Sequence, residues 1–166
     1  MTRNLLSGAT GPGVGSLGAG SLGASGGAAA PANLAIAAAD FNTFEAMLSD
    51  IQEAFSKGDL AKLRTLATPE MVGYFSEQLS ANASRGVENL VDAVKLEQGD
   101  LSEAWSEAGI DYATVAMRFS MIDVIRKIAD GAIVEGDPQV RTEATEVWTF
   151  LRSRGGNWIL SAIQQA

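Results

Sequence analysis

Hydrophobic periodicity changes once along this chain, near Gly86, and no other feature limits its fold as strongly. Before that glycine apolar residues recur at helical spacing, and after it they alternate. In "AADFNTFEAMLSDIQEAFSKGD" the residues Phe41, Phe44, Leu48, Ile51 and Phe55 share one helical face, with Met47 and Ala54 beside them. Gly58 ends that helix and Asp59 caps a short second one, which sets Leu60, Leu63 and Leu66 on one side. "TPEMVGYFSEQLSANASRG" begins a third helix, with Thr68 as N-cap, Pro69 in the first position and Glu70 in the first turn. Its stripe is Met71, Tyr74, Phe75 and Leu79, and all three stripes read as core. Tyr74 and Phe75 are adjacent and cannot both point squarely into that core, so one is expected to face a pocket or lipid.

The second half reads as strands. "NLVDAVKLEQGDLSEAWSEAG" is expected to form two strands around Gln98-Gly99-Asp100, the first of them also compatible with a helix. In "IDYATVAMRFSMIDVIRKI", Ala113, Val115, Met117, Phe119 and Met121 share one face, and Tyr112, Thr114, Arg118 and Ser120 the other. Asp130-Gly131 lies between apolar residues and signals a hairpin of the primed turn type. "EATEVWTFLR" and "NWILSAIQ" then pair around Arg154-Gly155-Gly156. Helices followed by antiparallel strands read as an α+β fold, with helices packed on one face of a curved sheet.

Residues 1–38 are a separate block rich in Gly, Ala and Ser, expected to be a flexible linker or tail, and 39–166 are expected to form the folded domain. No stretch approaches the roughly 20 apolar residues of a membrane-spanning helix, and "MTRNLLSGATGPGVGS" lacks the long apolar centre of a secretory signal. The glycines of "GPGVGSLGAG" lack the flanking strand and helix of a dinucleotide loop.

The chain contains neither cysteine nor histidine, which removes thiol chemistry, the commonest general base and the commonest zinc ligand. Carboxylates do not replace them. Glu143 and Glu146 fall on opposite faces of one strand, Asp111 and Asp123 at opposite ends of another, and all read as surface charge. No calcium-loop spacing occurs, so no metal or cofactor is expected. A net charge of −8 argues against nucleic-acid binding, which rests on cations neutralising phosphates. Arg118, Arg126, Lys127, Arg141, Arg152 and Arg154 could form a basic patch but are interleaved with acids and read as solvated surface. Trp105, Phe119, Trp148, Phe150 and Trp158 lie on strands of what reads as one curved sheet, where they either seal a core or line a pocket for an apolar ligand.

"TEATEVWTFLRSRGGNWILSAIQQ" closely resembles the end of the domain shared by the mitochondrial inner-membrane import translocase subunit 44 and its bacterial relatives. "GDLAKLRTLATPEM", "GDLSEAWSEAGIDYATVAMRFS" and "GAIVEGDP" resemble the corresponding segments of alphaproteobacterial members, so the likeness spans about Phe41 to Gln165. It implies a cone like that of nuclear transport factor 2, with helices packed into a strongly bent antiparallel sheet. It also implies a non-enzymatic module at the bacterial inner membrane, peripheral or tethered through an upstream anchor. Such a module binds membrane lipid, cardiolipin among the candidates, or a membrane protein. The import-motor role does not carry over, because the chaperone-binding half of the mitochondrial protein has no counterpart in this sequence. Candidate lipid or ligand contacts are Phe41, Phe44, Met47, Tyr74, Phe75, Trp105, Phe119 and Trp148; candidate headgroup contacts are Arg118, Arg126, Lys127 and Arg141. Two rivals stand beside this reading. One is an isomerase- or dehydratase-type enzyme on the same cone, which a polar residue deep inside would favour. The other is a self-associating scaffold, a homodimer through the outer sheet face.

Overall fold

Three helices pack into the hollow of one strongly curled antiparallel sheet, as the change of periodicity requires. The computed structural model describes residues 32–166, so residues 1–31 of the linker expected over 1–38 lie outside the described residues. Element order is β1 (Ala32–Asn33), α1 (Ala38–Ser56), α2 (Leu60–Leu66), α3 (Pro69–Ser84), β2 (Val87–Glu107), β3 (Ile110–Lys127), β4 (Ile133–Glu135), β5 (Thr142–Ser153) and β6 (Ile159–Gln165). Residues 32–37, the described end of the expected linker, are joined to the sheet: β1 pairs with Trp105 and Ser106 of β2.

The helix signals act as their chemistry dictates. Gly58 takes a left-handed φ of 65° where α1 stops. The Asp59 carboxylate accepts a 2.9 Å bond from the Lys62 N–H, and the Thr68 hydroxyl accepts one from the Met71 N–H at 3.4 Å. α1 buries Phe44, Met47, Leu48, Ile51, Ala54 and Phe55.

The sheet runs β1-β2-β3-β5-β6, and β4 also pairs with β3. β3 buries the expected alternate set, Ala113 through Met121, against the helices. The region expected to contain a turn at Gln98-Gly99-Asp100 is instead one continuous strand, in which Gly99 pairs with Met117. Turn-forming composition loses there because β3 offers an unbroken ladder of partners, and the mismatch is absorbed by register shifts at 92–95, 96–98 and 101–103. Each bulge bends and twists the strand locally, and three of them curl a 21-residue strand into a cone wall.

The primed turn is also displaced from its expected place. The β3–β4 connection contains Gly131 at φ 73°, but Asp130 has no positive φ, and the Gly131 N–H donates to the Lys127 carbonyl in a wider loop. The two-residue turn with both φ positive is Ala108-Gly109, at 49° and 79°, between the paired Glu107 and Ile110. An L-residue with a Cβ in that conformation costs about 1–2 kcal/mol, and asparagine tolerates it better. Ala108→Asn is therefore expected to stabilise the domain by about 0.5–1 kcal/mol. That corresponds to a melting point about 2–4 °C higher. An unchanged or lower midpoint in a thermal scan contradicts this account.

Candidate functional site

At the start of α1 the rim of the cone opens on an apolar pocket. A pocket of about 190 Å³ lies between Phe41, Asn42, Phe44 and Glu45 of α1, Leu96 and Gly99 of β2, and Val115 and Met117 of β3. Gly99 helps to keep it open, since a side chain there would project towards Leu96, the one neighbour within reach at 3.6 Å. The volume is below the roughly 300–1,000 Å³ of drug-sized ligand sites, so it suits one apolar side chain or a short length of acyl chain. Phe44 forms the floor, stacked on Phe150 at 4.4 Å and edge-on to Trp158 at 5.1 Å. Phe41 stands at the entrance, 36% exposed.

One acid fixes this rim. Asp40, in the first turn of α1, accepts from the Ala37 N–H, the Trp158 indole and Arg152, at 2.9, 2.9 and 3.1 Å. Burial works to raise its carboxyl, but the Trp158 and Ala37 N–H groups and the Arg152 charge outweigh that and hold it below the ordinary 3.8. Arg152 also binds Asp111 at 2.9 Å and lies over the Trp158 ring at 4.3 Å. The Ser106 hydroxyl and Arg152 together hold Asp111 low. The sequence marks Asp40 only as an acid in the first turn of a helix, and Arg152 only as one of six sheet-region cations read as solvated surface; the structure instead ties Arg152 to Asp40 and Asp111.

Inside the cone the structure corrects the reading of Glu146 as surface charge. Glu143 is exposed, as an outer-face residue should be, but Glu146 is fully buried. Strand parity puts it on the inner face with Trp148 and Phe150. Its carboxylate accepts from the Trp148 indole N–H at 2.8 Å and from the Gln165 amide at 3.1 Å. Gln52 of α1 is equally buried. These are the deep polar residues that an enzyme reading asks for. Glu146, however, is held by donors and is not among the residues lining the rim pocket. Among the described residues no group of three or more His, Cys, Asp or Glu is placed to hold a metal ion. No described helix is long and apolar enough to cross a membrane.

The apolar candidates divide by burial. Phe44, Met47, Phe75, Phe119 and Trp148 belong to the core, whereas Phe41, Tyr74 and Trp105 keep accessible surface. Of the adjacent pair, Phe75 points inward and Tyr74 is the half-exposed one. Trp105 stacks on Tyr112 at 4.9 Å. Three of the four candidate cations are tied to neighbours. Arg118 pairs with Glu143 at 3.3 Å and Arg126 with Glu88 at 2.6 Å. Arg141 donates to the Ser120 hydroxyl and the Ala93 carbonyl, while that hydroxyl donates to Glu97. Lys127 is exposed on the last residue of β3.

The model of the Tim44-like domain matches residues 31–165, which takes in every element from β1 to β6. The chain belongs to the Tim44-like domain family. Membership agrees with the likeness found in the sequence and with the α+β cone, and it supports a membrane-associated module. No curated protein matches this sequence. Among solved structures, this Tim44-like domain is similar to the intermembrane space region of the chloroplast protein ARC6. The identity is 12%, over 75% of this chain and 96% of that one, with a TM-score of 0.48. It is also similar to a conserved protein from Planctomyces limnophilus DSM 3776, at 15% identity over 77% and 98% of the two chains and a TM-score of 0.39.

Proposed function

We propose that this Tim44-like domain is a non-enzymatic module that binds membrane lipid or a membrane-protein partner, and that apolar surface contributes more to that binding than charge does. The observation that carries the reading is the contrast between its cations and its exposed apolar residues. Arg118, Arg126 and Arg141 are occupied by Glu143, by Glu88 and by the Ser120–Ala93 pair, in a chain of net charge −8. Phe41, by contrast, stands open beside an apolar pocket. Surface ion pairs already made leave little charge for an anionic headgroup, whereas exposed apolar side chains gain on leaving water.

Co-sedimentation with cardiolipin-containing liposomes tests this. Binding is expected to persist from low salt to about 0.15 M, because screening removes only the exposed electrostatic share. Loss of binding by that ionic strength transfers the function to the cations, Lys127 first. Absence of binding at every salt concentration leaves a membrane protein as the partner.

A further inference from the structure

Four of the six large apolar side chains exposed among the described residues fall between positions 128 and 140: Ile128, Ile133, Val134 and Val140. They belong to one feature. β5 accompanies β3 only as far as the Met121–Thr142 pair, and β4 then takes over the same side of β3 opposite Ile125 and Arg126. Among the described residues β4 pairs with no strand but β3. Successive strand residues point to opposite faces, yet Ile133 and Val134 are both about half exposed, at 46% and 54%. The hairpin therefore shows apolar surface on both faces.

Its base is held firmly. The Ile128 N–H donates to the Gly86 carbonyl and the Lys127 N–H to the Ala132 carbonyl, at 2.9 and 2.8 Å. The Asp130 carboxylate accepts from the Ala132 N–H inside the turn. Asn89 donates to both Asp123 and the Val124 carbonyl beneath it. Gly136, at φ 87°, lies so close to the Asp123 carbonyl that a Cβ would collide with it. Charge in this stretch is balanced. Between 126 and 141 the cations Arg126, Lys127 and Arg141 face the acids Asp130, Glu135 and Asp137, three against three, in a chain that is otherwise strongly acidic.

We infer that the β3–β4 hairpin, with Ile128, Ile133, Val134 and Val140, is the element of this domain that enters the interfacial layer of a bilayer. The inference rests on the membrane-binding reading above and names the surface responsible. A protein partner docking on a flat surface covers one face of a strand. A preorganised projection that is apolar on both faces is matched by a medium that surrounds it. Local charge balance removes the repulsion that the rest of this acidic chain would feel near anionic lipid, and Lys127, exposed at the base, lies where headgroups would be.

The chain has no cysteine, so a single one can be introduced and labelled without background. Val134→Cys carrying a polarity-sensitive dye is mixed with vesicles of phosphatidylcholine and cardiolipin, alongside a control at Leu101, an exposed apolar residue of β2 outside the hairpin, as Leu101→Cys. The expected result is a blue shift and quenching by brominated lipid at position 134, with little change at 101. In the unlabelled protein, Ile133→Ser/Val134→Ser is expected to lower vesicle partitioning at least tenfold, while Leu101→Ser changes it less than twofold. Both sets of residues are exposed, and matching circular dichroism melts confirm that the variants fold. If Phe41→Ser abolishes binding and the hairpin variant does not, the hairpin assignment is overturned while the membrane reading stands. If the unaltered protein ignores the vesicles, the hairpin assignment falls together with the lipid arm of that reading, and a membrane protein is left as the partner. If the hairpin variant binds vesicles normally but loses a dimer seen by light scattering, the hairpin is a contact for a second copy and the assignment is likewise overturned.

Discussion

Trp148→Ala is expected to unfold most of the domain at room temperature. Trp148 is fully buried at the centre of the inner sheet face, tilted against Phe150 at 6.1 Å. Replacing such a side chain with alanine costs about 3–5 kcal/mol through lost burial and the cavity left behind. The indole N–H is also a donor to Glu146, and leaving a buried carboxylate short of a partner adds about 1–3 kcal/mol. Domains of this size have about 5–15 kcal/mol in total. Urea denaturation of Trp148→Ala should show either no folded baseline or a midpoint greatly lowered. Trp148→Phe separates the two contributions, because it keeps most of the apolar volume and loses only the donor. A Trp148→Ala protein with an unchanged midpoint and lost vesicle binding would show that this face is a binding wall and not a core.

Phe44→Ala is expected to cost about 3–5 kcal/mol as well, for a different reason. Phe44 joins α1 to the C-terminal hairpin by stacking on Phe150 and meeting Trp158 edge-on, and it floors the rim pocket. Its neighbour Phe41 sits 6.2 Å away, edge-on to it and half in water. Phe41→Ala should change stability by no more than about 0.5–1 kcal/mol. The two phenylalanines are three positions apart in one motif, and the contrast between them is the measurement. Equal, small losses for both would mean that α1 does not pack on the sheet through this ring cluster.

Much of the fold was legible because it depends on period and on caps. The helical stripe from Phe44 to Phe55 and the alternation from Ala113 to Met121 each admit one buried face. Asp59 and Thr68 mark helix starts by a local bond that needs no tertiary information. What was not legible depends on partners far away in the chain. Gln98-Gly99-Asp100 has the composition of a turn, and only the presence of β3 alongside turns it into strand. Ala108-Gly109 lacks the Asn or Asp that announces a primed turn, and the length of the β2–β3 ladder imposes the conformation. Glu146 has a surface residue's chemistry at an interior parity. Its parity was readable, and with it Trp148 two residues along the same strand, but the second donor, Gln165, is known only from the register of β5 with β6. The candidate site was half visible for the same reason. Phe41 was found because it starts a helix, whereas the exposed hairpin at 128–140 was hidden inside an ordinary strand-and-turn signal.

The bonds around Asp40 set an order of events during synthesis. Asp40 meets Arg152 and Trp158 across separations of 112 and 118 residues. α1 emerges from the ribosome early, yet the groups that fix its first turn and cover Phe44 are made more than a hundred residues later. Closing a loop of that length gains nothing until its far end exists. The three helices must therefore wait with their apolar stripes uncovered while β2 through β5 are translated. At about 5–20 residues per second, that interval lasts several seconds, during which the nascent chain depends on whatever shields it and not on its own sheet.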